Sequence, residues 1–179
     1  MQNKPIEVLT IGAIRDYSSN IEVVKALANK DNIKVSFVGK GGTSDKIAAY
    51  CKDNGIANVS FTGFYQKHEE SCYVKNATFM NIFYPRVITH DTALSNRFYN
   101  SLIYKKPMIV TRNTTQGDYV EKNRLGIALS DCGNLYDALI NFINTENYLE
   151  YSTRCNSLLR TFLKDQEEFE SAVRAFVKR

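Results

Sequence analysis

The residues best suited to chemistry in this sequence sit where apolar runs stop. Val8-Leu-Thr-Ile leads into Gly12-Ala-Ile-Arg15-Asp16, Val35-Ser-Phe-Val38 into Gly39-Lys40-Gly41-Gly42, and Val59-Ser-Phe-Thr62 into Gly63-Phe64-Tyr65. Thr78-Phe-Met-Asn-Ile-Phe83 is stopped by Tyr84-Pro85-Arg86 and followed by Ser95-Asn96-Arg97, and Met108-Ile-Val110 leads into Thr111-Arg112-Asn113-Thr114-Thr115. Three of these five exits open with glycine, which lets backbone approach a ligand closely, and four carry Arg or Lys. The stretch "LSNRFYNSLIYKKPMIVT", Leu94 to Thr111, reads as a helix that stops at Pro107 and feeds a strand. The free N–H groups at the start of that helix would add to an anion site. Together these features point to a phosphate-bearing ligand. Each has a plainer explanation in ordinary turn chemistry. The Gly39–Gly42 run lacks the Lys-Ser/Thr of a P-loop and does not match the dinucleotide glycine pattern.

The elements that must position these exits alternate. Helices are expected after each strand. One is capped by Ser18-Ser19-Asn20, one by Thr43 or Ser44, and a short one runs from about Lys67 to Lys75. Another follows Leu94, and a further short one spans about Gly117 to Lys122. Gly126-Ile-Ala-Leu129 reads as a sixth strand. Helices fill the rest: one on Leu135, Ala138, Leu139 and Phe142, one on Leu149, Leu158, Leu159, Phe162 and Leu163, and a last one from Phe169 to Val177. Strands apolar throughout and separated by helices predict an α/β fold, a Rossmann-like doubly wound parallel sheet of about six strands with helices on both faces. In such a sheet ligands bind at the carboxyl ends of the strands. The 179 residues read as one domain, residues 1–179, with no repeat or internal linker.

Composition narrows the function. A net charge of +4, with bases and acids interspersed, gives no nucleic-acid footprint. Cys51, Cys72, Cys132 and Cys155 show no C-x-x-C spacing and read as reduced thiols of a cytoplasmic protein. His68 and His90 read as surface or loop-packing residues, with no metal site expected, and no Ser-His-Asp arrangement suggests itself.

The order of these motifs resembles the C-terminal, nucleotide-sugar-binding domain of GT-B glycosyltransferases, of the retaining type that builds bacterial capsule and surface polysaccharides. "VLTIGAIRDYSSNIEVVKAL" looks like that domain's first strand, glycine loop and helix, and "VSFVGKGGTSDKIAAYCKDNGIANVSFTGFY" like its second unit. "LSNRFYNSLIYKKPMIVTRNTTQGDYVEKNRLGIAL" looks like its donor-binding helix and the strands after it. The resemblance implies that Arg15, Ser95, Asn96 and Arg97 meet the donor diphosphate. It places Gly12, Gly39 and Gly41 in the glycine loops, and Phe64, Tyr65 and Asn100 at the base and ribose. It assigns no catalytic residue, and it implies a nucleotide-diphosphate sugar as co-substrate with no metal or other cofactor. Many members carry two glutamates eight positions apart around this helix. Here those positions hold Thr92 and Asn100.

A GT-B enzyme has two such domains, so the resemblance implies an N-terminal acceptor domain missing from this chain and a fragment inactive alone. It also implies a last helix that packs toward that domain. A full-length enzyme of this kind would be cytoplasmic and could associate peripherally with the inner membrane face. Two alternatives remain open: a degenerate, non-catalytic binding or scaffold domain with the same fold, and half of a nucleotide-sugar epimerase.

Overall fold

The computed structural model describes residues 4–177. Six strands form one parallel sheet in the order β3-β2-β1-β4-β5-β6. They are β1 (Ile6–Ile11), β2 (Ile33–Val38), β3 (Val59–Gly63), β4 (Phe79–Ile82), β5 (Met108–Thr111) and β6 (Gly126–Leu129). The strand order reverses between β1 and β4. Connections on the two sides of that point diverge to opposite halves of the sheet and leave a crevice at the strand ends.

Alternation along each strand feeds two cores. Val8 of β1 and Phe79 of β4 face one, and their neighbours Leu9 and Met80 face the other. The first core is closed by α1 (Tyr17–Leu27), α2 (Ser44–Asp53) and α7 (Leu135–Thr145) through Val24, Leu27, Ile47, Leu135 and Leu139. The second is closed by α3 (Glu70–Asn76), α5 (Asn96–Tyr104), α6 (Thr115–Asn123) and α8 (Tyr148–Val177) through Val74, Phe98, Leu102, Val120 and Tyr151. The short α4 (Ile88–Asp91) lies in the loop after β4. The Rossmann-like fold is as expected from the sequence.

Three local expectations are corrected. The Ser18-Ser19-Asn20 cap does not form. Helix α1 starts at Tyr17 with Asp16 at its N-cap, because the Asn20 amide turns back and donates to the Asp16 carbonyl at 2.6 Å. The two helices expected after residue 148 are one continuous 30-residue helix. No Gly or Pro interrupts it, and its exposed part is carried by i,i+4 pairs, Lys164–Glu168, Gln166–Glu170 and Glu170–Arg174. The helix expected from Gly117 begins at Thr115, where the Thr114 hydroxyl caps it by accepting from the Gly117 amide at 3.0 Å. The far half of α8 leaves Leu163, Phe169, Phe176 and Val177 exposed.

Tyr151 carries a stability prediction. Its side chain is almost fully buried, and among the described residues its hydroxyl has only the Cys155 thiol, a weak hydrogen-bonding group, beside it. A buried hydroxyl so weakly paired costs about 1 kcal/mol. Tyr151→Phe is therefore expected to raise the thermal midpoint by about 2–4 °C for a chain of this size, as calorimetry would read it.

Candidate functional site

The crevice between β1 and β4 opens into a cavity of about 390 Å³. The β1 exit supplies its first wall. The loop Gly12–Arg15 is anchored by Ile14, which is buried in the first core, and is held from two sides. The Thr43 hydroxyl donates to the Ile14 carbonyl at 3.0 Å. From α5, Arg97 donates through Nε to the Ile11 carbonyl and through Nη2 to the Ala13 carbonyl at 3.0 Å. With its backbone so fixed, the loop presents Arg15 to the cavity. Arg15 is exposed, and none of the ion pairs among the described residues involves it.

A buried polar network ties the β1 and β4 ends together beneath the cavity. The Asn81 side-chain amide donates to the Thr10 hydroxyl at 2.9 Å and to Asn20 Oδ1 at 3.4 Å, while its own oxygen accepts from the Phe83 amide at 3.1 Å. Above it, the Tyr84 amide donates to the Thr111 hydroxyl, which donates back to the Tyr84 carbonyl. Tyr84 then packs its ring against Arg97 and His90.

Helix α5 supplies the second wall. The Ser95 hydroxyl caps it, accepting from the Phe98 amide at 3.3 Å and donating to the Gln116 side-chain oxygen at 2.7 Å. The Ser95 amide goes to the same oxygen. That leaves the N–H groups of Asn96 and Arg97, without a carbonyl partner at the first turn, as the positive end of α5. Ser95, Asn96 and Arg97 all line the cavity with Arg15, Gly12, Tyr65 and Asn100. Arg97 brings charge there, but two of its nitrogens serve to hold the β1 loop.

One turn along α5 from Asn96 the character of the cavity changes. The Asn100 amide donates to Glu70 Oε1 at 2.6 Å. Lys67 Nζ and the Tyr65 hydroxyl donate to Glu70 Oε2 at 2.6 and 3.0 Å. The Glu70 side chain is 13% exposed. Burial alone would raise its carboxyl. The hydrogen bonds from Lys67, Tyr65 and Asn100, with the Lys67 charge, outweigh burial and hold it below the usual carboxylate range. Burial, then the bond and charge of Glu70, push the Tyr65 hydroxyl up to about 12, so it stays a donor.

A depressed native value means that the unfolded chain binds the proton first. The stability from Glu70 is therefore present above about pH 4.5, its unperturbed value, and is lost as pH falls through the lower native one. Glu70→Gln should flatten the acid limb of a plot of urea midpoint against pH.

Three of the expected site residues lie outside the cavity lining. Phe64 is 83% exposed beside Lys40. Gly39 and Gly41 line the adjacent loop, where a Cβ at Gly39 would meet the Gly12 carbonyl at 2.2 Å and one at Gly41 the Ile14 carbonyl at 2.1 Å. Their lack of a side chain lets the β2 loop run directly along the β1 loop. Sequence reasoning did not single out Glu70, Lys67 or Gln116. Only the Lys67/Glu70 spacing at a helix start carried a signal, and it matched any solvated pair.

The fold has counterparts among solved structures. HepE from Anabaena, solved with UDP-glucose, superposes with a TM-score of 0.73 at 13% identity, over 94% of this chain and 49% of that one. The catalytic domain of cholesterol-alpha-glucosyltransferase from Helicobacter pylori gives 0.65 at 16% identity, over 90% and 99%. The C-terminal domain of a glycosyl transferase group 1 family protein, LpcC, from Francisella tularensis gives 0.65 at 14% identity, over 89% and 88%. The second and third of these are named as glycosyl transferases. At these identities the likeness is one of fold. The chain spans about half the length of HepE. No protein-family model matches it, and no curated protein does.

Proposed function

We propose that this chain is the donor-binding half of a retaining glycosyltransferase, binding a nucleotide-diphosphate sugar in the β1/β4 crevice for transfer to a polysaccharide or lipid-linked acceptor. It would be the C-terminal domain of a two-domain enzyme, with the acceptor held by a preceding domain. The observation that carries this reading is the polarity of the crevice. Arg15, unpaired among the described residues, and the α5 amides gather at one end, and an ionised Glu70 flanked by Tyr65 and Asn100 lies at the other.

A diphosphate is matched by the first group, and ribose hydroxyls by the second. Both groups border α5 one turn apart, about 6 Å along the axis, close to the span from a nucleotide's phosphate to its ribose diol. In transfer, negative charge grows on the leaving diphosphate. Arg15 and the α5 N-terminus would stabilise it in place, without a metal in the proposed chemistry. Arg97 positions the loop that carries Arg15. Asn100, which stands where a carboxylate is common in the resembled family, would act by presenting Glu70.

The scaffold alternative favours a filled or uncharged crevice. This one is open and lined by charged groups. The test is calorimetric titration of the chain with UDP, GDP and CMP. Saturable binding of one nucleoside diphosphate is expected. No binding to this chain or to a two-domain form would refute the reading.

A further inference from the structure

Gln116 is the second residue of α6 and is only 3% exposed. What is exposed of it faces the β1/β4 crevice, which it lines beside Ser95 and Asn96. A side-chain amide buried to this degree should have both of its ends bonded. Here the oxygen is bonded twice. The Ser95 amide and the Ser95 hydroxyl both donate to Gln116 Oε1, at 3.1 and 2.7 Å. Among the described residues nothing accepts from Gln116 Nε2, and it is not one of their enclosed, unpartnered atoms. Its N–H groups therefore open into the crevice.

The orientation of this amide is set by chemistry. A backbone N–H can only donate, so the end of Gln116 that meets the Ser95 amide must be the oxygen. The nitrogen is turned away from Ser95 as a consequence. Capping α5 uses Oε1 alone and leaves the two donors of Nε2 without a task. They are also held in place before any ligand arrives, which removes the cost of ordering a long side chain on binding.

Position says what those donors meet. Ser95 and Asn100 lie five residues apart on α5, about 7 Å along the axis. Glu70 is at the Asn100 end, and Gln116 is at the Ser95 end, past the free amides of Asn96 and Arg97. A nucleotide with its ribose at Glu70 and its first phosphate over those amides brings its distal phosphate to Gln116.

We propose that Gln116 Nε2 donates to the distal phosphate of the bound nucleotide sugar, and that it makes the crevice prefer a nucleoside diphosphate to a monophosphate. This rests on the reading of the crevice as a nucleotide-sugar site. The distal phosphate is the group that gains negative charge when the sugar leaves. A neutral amide fixed beforehand stabilises that charge without reorganising. Arg15 supplies the charge of the site, and Gln116 supplies a directed donor.

The capping role and the proposed role use different atoms, so two variants separate them. Gln116→Glu keeps an oxygen for both Ser95 bonds and replaces the donor by an acceptor. Its thermal midpoint should equal or exceed the parent's, because a carboxylate suits the start of α5. Gln116→Met keeps the length of the side chain, adds no charge and removes the donor. It should melt lower, having lost the Ser95 bonds. The readout is titration calorimetry with UDP or GDP, whichever the parent binds, and with the matching monophosphate. In Gln116→Met the diphosphate affinity should fall about tenfold, the size of a hydrogen bond to a charged group. In Gln116→Glu it should fall further, since repulsion adds to the lost bond. Monophosphate affinity should stay close to the parent's in Gln116→Met. Selective loss in both variants rules out displacement of Ser95 through the first and charge repulsion through the second.

Diphosphate binding by Gln116→Met as tight as the parent's would overturn the proposal. Equal losses for monophosphate and diphosphate in both variants would overturn it too, leaving Gln116 as crevice wall. In either case binding by the parent keeps the donor reading standing. If neither this chain nor a two-domain form binds a nucleoside diphosphate, the donor reading falls and this inference falls with it.

Discussion

Replacing Arg15 by alanine is expected to weaken nucleoside diphosphate binding by about ten- to a hundredfold while leaving the protein as stable as before. The two halves of that expectation come from the same observation. Arg15 is exposed and takes part in none of the ion pairs of the described residues, so its removal breaks nothing within the fold. A guanidinium bonded to a diphosphate contributes about 1.5–3 kcal/mol as a charged hydrogen bond, which sets the size of the loss. Titration calorimetry and a thermal melt on the same variant check both halves. Arg15→Lys should recover only part of the affinity, because an ammonium cannot make the bidentate contact. Arg97→Ala should behave differently. It frees the Ile11 and Ala13 carbonyls that Arg97 now holds, so stability and affinity should fall together. If Arg15→Ala binds as the parent does, the diphosphate lies elsewhere and the proposed donor site is wrong.

The fold was legible because its determinants are local and repeated. Apolar runs such as Val8–Ile11 and Met108–Val110 can be buried on both faces only in a sheet covered on both sides, and that is where they lie. The position of the crevice followed from the rule for doubly wound sheets, and Arg15, Asn96 and Arg97 meet there. What could not be read was Glu70. It is one of two adjacent glutamates in a polar stretch, Gln66–Ser71, and nothing local separates it from its exposed neighbours. Its role appears only when α3 packs beside α5 and brings Asn100 within 2.6 Å of it. His90, read as a surface or loop-packing residue, does pack in its loop. The loop after β4 folds it onto Tyr84 through a helix, α4, too short to leave a pattern. The unbroken α8 was legible in principle, since no Gly or Pro lies between Tyr148 and Val177. The polar run Asp165–Glu168 is held in the helix by pairs one turn apart.

Gly39→Ala should be more damaging than Gly12→Ala or Gly42→Ala, and these three glycines allow its causes to be separated. Gly39 has φ of +117°, and a Cβ there would lie 2.2 Å from the Gly12 carbonyl oxygen, which is backbone and cannot rotate away. Gly12 shares the positive φ, at +98°, but a Cβ there meets nothing within 4 Å. Gly42 has neither constraint. The conformational strain alone costs about 1–3 kcal/mol, and this is what Gly12→Ala should show. Gly39→Ala adds the forced separation of the β1 and β2 loops, for a total of about 3 kcal/mol or more. That corresponds to roughly 6–12 °C in the thermal midpoint. Gly42→Ala should be close to neutral. The two loops are also joined by the Gly12 amide on the Val38 carbonyl, and the Gly39 amide pairs onward to the Gly63 carbonyl, both at 2.9 Å. Pushing them apart therefore displaces the segment that carries Arg15. Gly39→Ala should lose nucleotide affinity even at temperatures where it is fully folded, and Gly42→Ala should not. Equal melting temperatures for Gly39→Ala and Gly12→Ala would mean that the loops give way easily, and that contact between them does not fix the site.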